Sequence, residues 1–184
     1  AMGGLMSVTG EKDGRPGGGP QKVGVPIVDL MTGMYTAVSV LAALARRNET
    51  GVGDSIDIAM LDVQVATLSN QAMNYLATGK APLRLGNAHP NIVPYAVFEC
   101  RDGWLILAVG NDGQFRALCG VLGLPGLADA PDFRTNADRV RNRATLTGML
   151  TAATKGWAKS DLLSACERSG VPAGPINDLA GVFA

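Results

Sequence analysis

Few residues of this 184-residue chain combine the types and spacing that chemistry requires. The sequence contains no Ser-His-Asp order, no HExxH or GxSxG motif, and no GxGxxG between a strand and a helix. Two places remain: Asp29, which precedes a long apolar stretch, and a polar loop at residues 86–91 that holds His89, the only histidine. From the residues alone, Asp29 is interpreted as a helix N-cap and His89 as an ordinary loop histidine.

The sequence contains no motif typical of a metal site or of a phosphate-binding loop. The three cysteines, Cys100, Cys119 and Cys166, form no CxxC pair, so we predict no metal site. We expect them to be buried, inert thiols of a protein in a reducing, cytoplasmic compartment, and no signal peptide is readable. The glycine-rich residues 10–24 lack GxxxxGK[ST], and Pro20 removes an amide that a phosphate loop needs. We interpret them as a flexible connection.

The composition excludes several classes of partner. Sixteen basic and sixteen acidic residues give a net charge of zero, and 47% of residues are hydrophobic. Nucleic acid and membrane surfaces are therefore not expected as partners, and a disordered chain is excluded. The length suits one domain, or parts of two, around an aliphatic core.

Two helices are predicted before residue 79. The apolar stretch Leu30–Ala45 is expected to be a buried helix, closed by Arg46 and Arg47 and ended by glycines; sixteen residues are too few to span a bilayer. Ser55–Ala59 alternates polar and apolar residues, which indicates a short strand or an extended entry. Apolar residues recur at spacings of three and four in Met60–Ala77, which predicts a second long helix ended by Gly79.

The pattern changes after residue 94. Three prolines and no periodicity mark residues 79–94 as a linker or functional loop. Tyr95–Cys100 and Trp104–Val109, joined by a turn with Gly103, predict a β-hairpin, with Tyr95 and Trp104 as core aromatics. The remaining predicted elements are helices at Asp112–Val121, Ala137–Lys155 and Ser160–Ser169 (the last capped by Ser160), and a third strand at Val171–Ile176. This second part is predicted to be a small α+β domain.

Three runs of sequence carry a resemblance to a known family. They are GLMSVTGE…GPQKVGVPIVDLMTGMYTAVSVLAALARRNETGVGDSIDIAMLDVQVATLSNQAMNYL, RLGNAHPNIVPYAVFECRDGWLILAVGNDGQF and SGVPAGPINDLAGVFA. The chain resembles the family III CoA-transferases, most closely those that move CoA between dicarboxylates such as succinate and glutarate. The resemblance implies an α/β fold: part of a Rossmann-like large domain, plus a small α+β domain with an antiparallel hairpin sheet.

The resemblance also implies functional roles. Asp29 matches the family's nucleophile, which attacks an acyl-CoA thioester and passes through an anhydride and an aspartyl-CoA thioester. The loop over the active site matches Gly86 to Pro90, so Gly86, Asn87 and His89 are the candidate substrate-binding residues. Acyl-CoA and a small carboxylate are the implied substrates, and no cofactor or metal is implied.

Members of the family are longer than this chain and form interlocked homodimers. The resemblance places residues 1–78 in a partial large domain that carries the nucleophile, residues 79–94 in a linker or active-site loop, and residues 95–184 in the small domain. We therefore expect little transferase activity and no secure interlocking from this chain alone.

Two other functions stay open. An α-methylacyl-CoA racemase-like enzyme of the same superfamily would use a histidine upstream of the aspartate, and none precedes Asp29 here. A non-catalytic module used for packing and dimer contacts would need only the hairpin and its helices. In that case Asp29 would be a structural N-cap.

Overall fold

A computed structural model describes all 184 residues. The chain divides into two compact units, residues 1–86 and residues 87–184. The change from one unit to the other falls within residues 79–94, the segment predicted as a linker. Each unit is described by itself.

The first unit contains helices and turns but no strand. Its helices are α1 (Leu5–Val8), α2 (Ile27–Thr50), α3 (Met60–Ala66) and α4 (Asn70–Thr78). Residues 10–24 contain no helix or strand and make a single isolated bridge between Glu11 and Gly18, as expected from their glycines and prolines. Gly79 ends α4 in a left-handed conformation and donates its N–H to Tyr75 O, at the predicted place.

Helix α2 begins earlier than the sequence indicates. Its N-cap is Pro26, which makes no side-chain cap bond, and Asp29 is the third residue of the helix. The N-cap interpretation of Asp29 is therefore wrong. Proline has a fixed φ that suits the start of a helix, so the helix begins directly after Pro26. At the other end, Gly51 has a φ of 71° and donates its N–H to Arg47 O, which ends the helix.

The prediction that this helix is buried is also wrong for this chain. No residue of α2 is buried, because only α3 packs substantially against it within the first unit. The helix has 24 residues and an 18-residue window of mean hydropathy 1.7, so it is long and apolar enough to cross a bilayer by length and composition alone. Core helices pass the same test. The sequence-based length of sixteen residues was too short.

Two further predictions for the first unit hold only in part. Ser55–Ala59 was predicted as a short strand or an extended entry; it forms no strand, because this unit contains no strand to pair with, and the extended Ala59 before α3 agrees with the second alternative. The helix predicted at Met60–Ala77 is interrupted. Ser69 has a φ of 50°, outside the helical region, so α3 and α4 are separate helices.

The second unit is built on a three-stranded antiparallel sheet. Its strands β1 (Tyr95–Cys100), β2 (Gly103–Ala108) and β3 (Ala173–Pro175) lie in the order β1-β2-β3. Tyr95 pairs with Ala108 and Cys100 with Gly103, so the predicted hairpin and third strand are confirmed. Gly103 has a φ of 143°, a conformation that glycine adopts readily at the turn.

Five helices and one 3-10 turn complete the second unit. They are α5 (Asp112–Val121), the turn Pro125–Ala128, α6 (Asn136–Arg141), α7 (Arg143–Thr154), α8 (Lys159–Arg168) and α9 (Leu179–Phe183). The long helix predicted at Ala137–Lys155 is divided at Asn142. Ala158, not Ser160, is the N-cap of α8, and Asp102 accepts the Lys159 N–H in place of a cap.

The core of the second unit lies between the sheet and helices α5, α7 and α8. Its fully buried large side chains include Phe98, Leu105, Leu107, Phe115, Leu118, Leu146, Leu150 and Leu162. All three cysteines are buried and unpaired, as predicted. Trp104 is 52% exposed, so the core placement of this residue is wrong; β2 turns its side chain away from the helices. Tyr95 is half-buried and stacks on His89.

Candidate active site

Asp29 offers an unengaged carboxylate. The residue is exposed, and no hydrogen bond or ion pair holds its side chain. It lies in the first turn of α2, where the unpaired N–H groups and the dipole of a 24-residue helix favour an anion. This arrangement leaves both carboxylate oxygens accessible for chemistry.

A cavity of about 220 Å³ lies beside this carboxylate. Its polar lining comes from Asp29, Lys22 and Gln64, and most of the other lining residues are apolar. Gln64 is 6% exposed; its Oε1 accepts the Gly3 N–H at 3.1 Å, while its Nε2 has no partner. A Cβ on Gly3 would lie 2.2 Å from that Oε1, so the contact requires glycine. The cavity therefore combines a free carboxylate, an ammonium group and a buried amide.

Gly86 turns the chain at the end of the first unit. Its φ of 63° is in the left-handed region that glycine tolerates, and its N–H donates to Gly10 O at 3.0 Å. A Cβ at this position would lie 3.2 Å from Glu11 Oε2. Gly86 does not line the Asp29 cavity. Glycine is thus required here by the backbone conformation.

Asn87 begins the second unit and is exposed. Its Oδ1 accepts the N–H of Val97, a residue of β1, at 2.9 Å. The bond fixes which side of the amide is the oxygen, because only the oxygen accepts an N–H. The N–H donors of Nδ2 are therefore not used in this bond to the strand.

His89 is half-buried and contacts its own loop on several sides. Its Nδ1 accepts the Asn91 N–H at 3.1 Å, and its ring stacks on Tyr95 with centroids 5.3 Å apart. Its backbone N–H donates to Tyr95 O at 2.9 Å, and its carbonyl accepts a bond from Arg143 at 2.8 Å. Burial, together with the Arg143 charge, lowers the pKa of His89 below its usual value. Both effects favour the neutral form of the ring.

Sequence reasoning missed the residues around these candidates. Arg143 and Gln64 lie in helical patterns that are explained by packing alone, so neither was singled out. A weak signal exists for each: Gln64 is a polar residue between two valines, and Arg143 follows Asn136 and Arg139 at helical spacing. Their contacts with residues 54 and 61 positions away are set by tertiary structure.

The structure brings some of the candidates together and leaves others apart. Asn87 and His89 share one loop of the second unit, and Asp29 and Gly86 belong to the first unit without sharing a cavity. No group of three or more His, Cys, Asp and Glu residues could hold a metal ion.

Comparison with known proteins gives consistent matches. The sequence model of the family described as "CoA-transferase family III" matches residues 1–184. A succinate–glutarate CoA-transferase from Agrobacterium fabrum is 51% identical over 183 residues, 100% of this chain and 45% of that protein. A succinyl-CoA:glutarate CoA-transferase from Mus musculus is 43% identical over 183 residues, 100% of this chain and 41% of that protein.

A solved structure also matches. The crystal structure of a CAIB/BAIF family protein from Brucella suis has a TM-score of 0.77 and 50% sequence identity, covering 99% of this chain and 47% of that one. The chain therefore spans less than half the length of these relatives.

Proposed function

Because the chain belongs to CoA-transferase family III, we propose that it takes part in moving CoA from an acyl-CoA thioester to a carboxylic acid. The names of the two curated relatives pair succinate with glutarate, which supports dicarboxylic acids as donor and acceptor. Coenzyme A and its thioesters are substrates in this reaction. No separate cofactor is needed for it.

Asp29 is the proposed nucleophile. Its carboxylate attacks the thioester carbonyl carbon, the C–S bond breaks, and the CoA thiolate leaves behind an acyl-aspartyl anhydride. The thiolate then attacks the aspartyl carbonyl of that anhydride. The donor acid leaves as a carboxylate, and the side chain of Asp29 becomes an aspartyl-CoA thioester.

The second half of the reaction reverses these steps with the acceptor. The acceptor carboxylate attacks the aspartyl thioester, releases the CoA thiolate and forms a new anhydride. The thiolate attacks the acceptor's acyl carbon, which gives the new acyl-CoA and returns Asp29 as a carboxylate. No proton has to be transferred at any step, so a nucleophile without a paired base is sufficient.

The free carboxylate of Asp29 carries this proposal. It lies in the first turn of α2, no side chain holds it, and it borders a cavity in a chain that matches the family over its whole length. Lys22 borders the same cavity and would favour an anion there by its charge. A carboxylate committed to a cap or an ion pair would be a poorer nucleophile.

Gly86, Asn87 and His89 are proposed to contact the substrate. Oδ1 of Asn87 accepts a bond from β1 and Nδ1 of His89 accepts one from Asn91, so the Nδ2 group of Asn87 and the Nε2–H of His89 are the donors that remain for a ligand. Donors alone suit the oxygens of a carboxylate or thioester. The left-handed turn at Gly86 directs the chain into this loop.

We also propose the larger architecture that the family implies. In this proposal the first unit is part of a Rossmann-like large domain, and two copies of the whole protein interlock as a dimer. The exposed apolar residues of α2 support this proposal, since a core helix would have this composition.

The exchange of CoA between succinyl-CoA and glutarate tests the proposed role of Asp29. In the intact protein, Asp29→Asn should lower the rate by at least about three orders of magnitude, because it removes the nucleophile. Asp62→Asn is the matched control, since Asp62 also lies in the first turn of a helix, α3. Lost stability with retained exchange in Asp29→Asn would instead support a packing module.

A further inference from the structure

Helices α6 and α7 hold the loop that contains His89. Asn136 and Arg139 of α6 and Arg143, the first residue of α7, all contact this loop. Together they bind five backbone groups of residues 89–93. Asn136 uses both halves of its amide, accepting the Val93 N–H at 3.1 Å and donating to Asn91 O at 2.8 Å.

Arg143 binds the part of the loop nearest the ring. Its Nη1 donates to His89 O at 2.8 Å, and its Nη2 donates to Pro90 O at 2.6 Å. The two nitrogens of a planar guanidinium have a fixed separation, so this fork sets the positions of two successive carbonyl groups. A lysine at the same place would reach one carbonyl at a time.

Arg139 anchors the other end of the loop to the core. It is fully buried, and its Nε donates to Val93 O at 2.7 Å. Asp112 accepts from its Nη2 at 2.7 Å, and its guanidinium lies 4.4 Å from the Phe115 ring centroid. The loop is therefore fixed at both ends by arginines.

The bond at Nδ1 of His89 selects one state of the ring. Because Nδ1 accepts the Asn91 N–H, the neutral ring must carry its proton on Nε2. Protonation would place an N–H at Nδ1 directly against the Asn91 N–H. The charged or titratable groups that face the ring are Arg143 of α7 and Tyr95 of β1, and no carboxylate acts on its charge. The surroundings thus disfavour the imidazolium.

We propose that Arg143 is a positioning residue that holds His89 as a neutral Nε2–H donor to a carboxylate oxygen of the substrate. This inference rests on the proposed transfer of CoA to a carboxylic acid. A neutral imidazole donates a hydrogen bond without giving up its proton. A carboxylate that is held in this way therefore stays ionised.

Nuclear magnetic resonance tests the state of the ring directly, because the chain has one histidine. In the uniformly ¹⁵N-labelled chain, long-range ¹H–¹⁵N spectra should show a protonated Nε2 and an unprotonated Nδ1 at pH 7. A pH titration should give a pKa for His89 below the usual value of about 6.5. A proton on Nδ1, or a titration at or above that value, would overturn the proposal.

Substitution of Arg143 tests its role. Arg143→Met should raise the pKa of His89 and speed amide exchange at Asn91, whose N–H donates to Nδ1 of His89. Arg141→Met, which removes the same charge from an exposed neighbour paired with Asp138, should leave both unchanged. Equal responses of the two variants would contradict a specific role for Arg143. Should Arg143→Met not fold, Arg143→Lys should keep the pKa low and still speed amide exchange; unchanged exchange would contradict the fork.

Kinetics of the intact protein connect the ring to the substrate. His89→Gln keeps a donor near the Nε2 position, whereas the shorter amide in His89→Asn lies near Nδ1 and leaves no donor at the Nε2 position. We expect His89→Asn to raise the KM for glutarate by about 10-fold or more with kcat little changed, and His89→Gln to raise it much less. Equal KM values for both variants and the unsubstituted protein would overturn the contact. Asp29→Asn tests the proposed transfer of CoA, and the His89 variants test only the contact with glutarate. Failure of one proposal can therefore be distinguished from failure of the other.

Discussion

Two aspartates in the first turns of helices have opposite surroundings. Asp138 forms a capping box with Thr135, accepting its backbone N–H at 3.1 Å and its hydroxyl at 2.5 Å. The Thr135 hydroxyl bond is the main cause that lowers the pKa of Asp138. Asp29 accepts no such bond. The first carboxylate is therefore committed to structure, and the second is available for reaction.

This difference predicts opposite outcomes for the same substitution. Asp138→Asn should lower the urea midpoint of the second unit, because it weakens the bonds to Thr135. Asp29→Asn should leave the helical circular dichroism and its thermal midpoint nearly unchanged while it removes exchange activity. Both tryptophans lie in the second unit, so their emission reports the first experiment selectively. A loss of helix in Asp29→Asn would indicate a structural role.

The buried thiols predict how stability changes at alkaline pH. Burial raises the pKa of Cys119 and of Cys166 to about 11, from an ordinary value of 9.0. In the unfolded chain these thiols lose their protons at lower pH than in the native chain, so the native chain binds more protons between pH 9 and 11. The free energy of unfolding should therefore fall as pH rises through this range.

Urea titrations followed by tryptophan emission at several pH values measure this slope. Replacing both cysteines by alanine should flatten the slope between pH 9 and 11, even though the cavities lower stability overall. An unchanged slope in the double variant would show that other groups cause the alkaline loss. At pH 8 the native thiols should resist alkylation, since they are buried and protonated.

At the scale of helices and strands, the stability of the second unit depends on Arg139. This side chain joins the loop before β1, the N-terminal turn of α5 and the residues before α6, through Val93, Asp112 and Phe133. Arg139→Met should lower the free energy of unfolding of this unit by roughly 2–4 kcal/mol, because buried carbonyl groups lose their donors. Urea titrations followed by tryptophan emission measure this free energy of unfolding.

Arg116→Met is the control for that experiment. Arg116 is exposed and pairs with the exposed Asp129 at 2.8 Å, a contact that contributes little in water. We expect its removal to change the free energy of unfolding by about 0.5 kcal/mol or less. Similar losses in both variants would mean that Arg139 has no special position in the fold.

Local sequence patterns predicted which helices and strands form better than they predicted where each one ends. The hairpin, α5 and the glycine-ended helices follow from alternation, helical spacing and turn residues, which depend on near neighbours. The helix breaks at Ser69 and Asn142 could not be predicted from these patterns, because the helical spacing of apolar residues continues across both positions. Strand pairing at Ser55–Ala59 could not be judged either, since it depends on a neighbouring strand.

In the candidate site too, the sequence identified some residues, whereas the contacts between them could be seen only in the structure. Residue type and the family resemblance single out Asp29 and His89, because carboxylates and imidazoles carry chemistry wherever they occur. Arg143 reaches His89 across 54 positions, and Gln64 reaches Gly3 across 61. Such contacts depend on how helices pack, which periodicity does not specify. The state of the histidine ring therefore required the structure.

At the scale of the whole molecule, the two units bury very different amounts of apolar surface. The second unit has a continuous core, whereas Val63 is the only buried large hydrophobic residue of the first. Leu30, Met34, Val38 and Leu41 on α2 are all more than half exposed. Apolar surface of this extent favours association with other protein.

The 184-residue chain should accordingly self-associate. In sedimentation velocity, we expect species larger than the monomer at micromolar concentration, and Leu41→Lys should shift them toward the monomer by placing a charge in the apolar face. Asn48→Lys, which adds the same charge at an exposed polar position of the same helix, should have little effect. A monomeric chain with no dye-binding apolar surface would contradict this expectation.

The covalent intermediate at Asp29 is the most direct test of the proposed function. Trypsin should release residues 23–46 as one peptide, in which Asp29 is the only acidic side chain. After the intact protein is mixed with succinyl-CoA and quenched in acid, mass spectrometry should find CoA attached to this peptide, and hydroxylamine should convert it to the hydroxamate. Transfer to glutarate with no adduct on this peptide, or an adduct that persists in Asp29→Asn, would contradict the proposal.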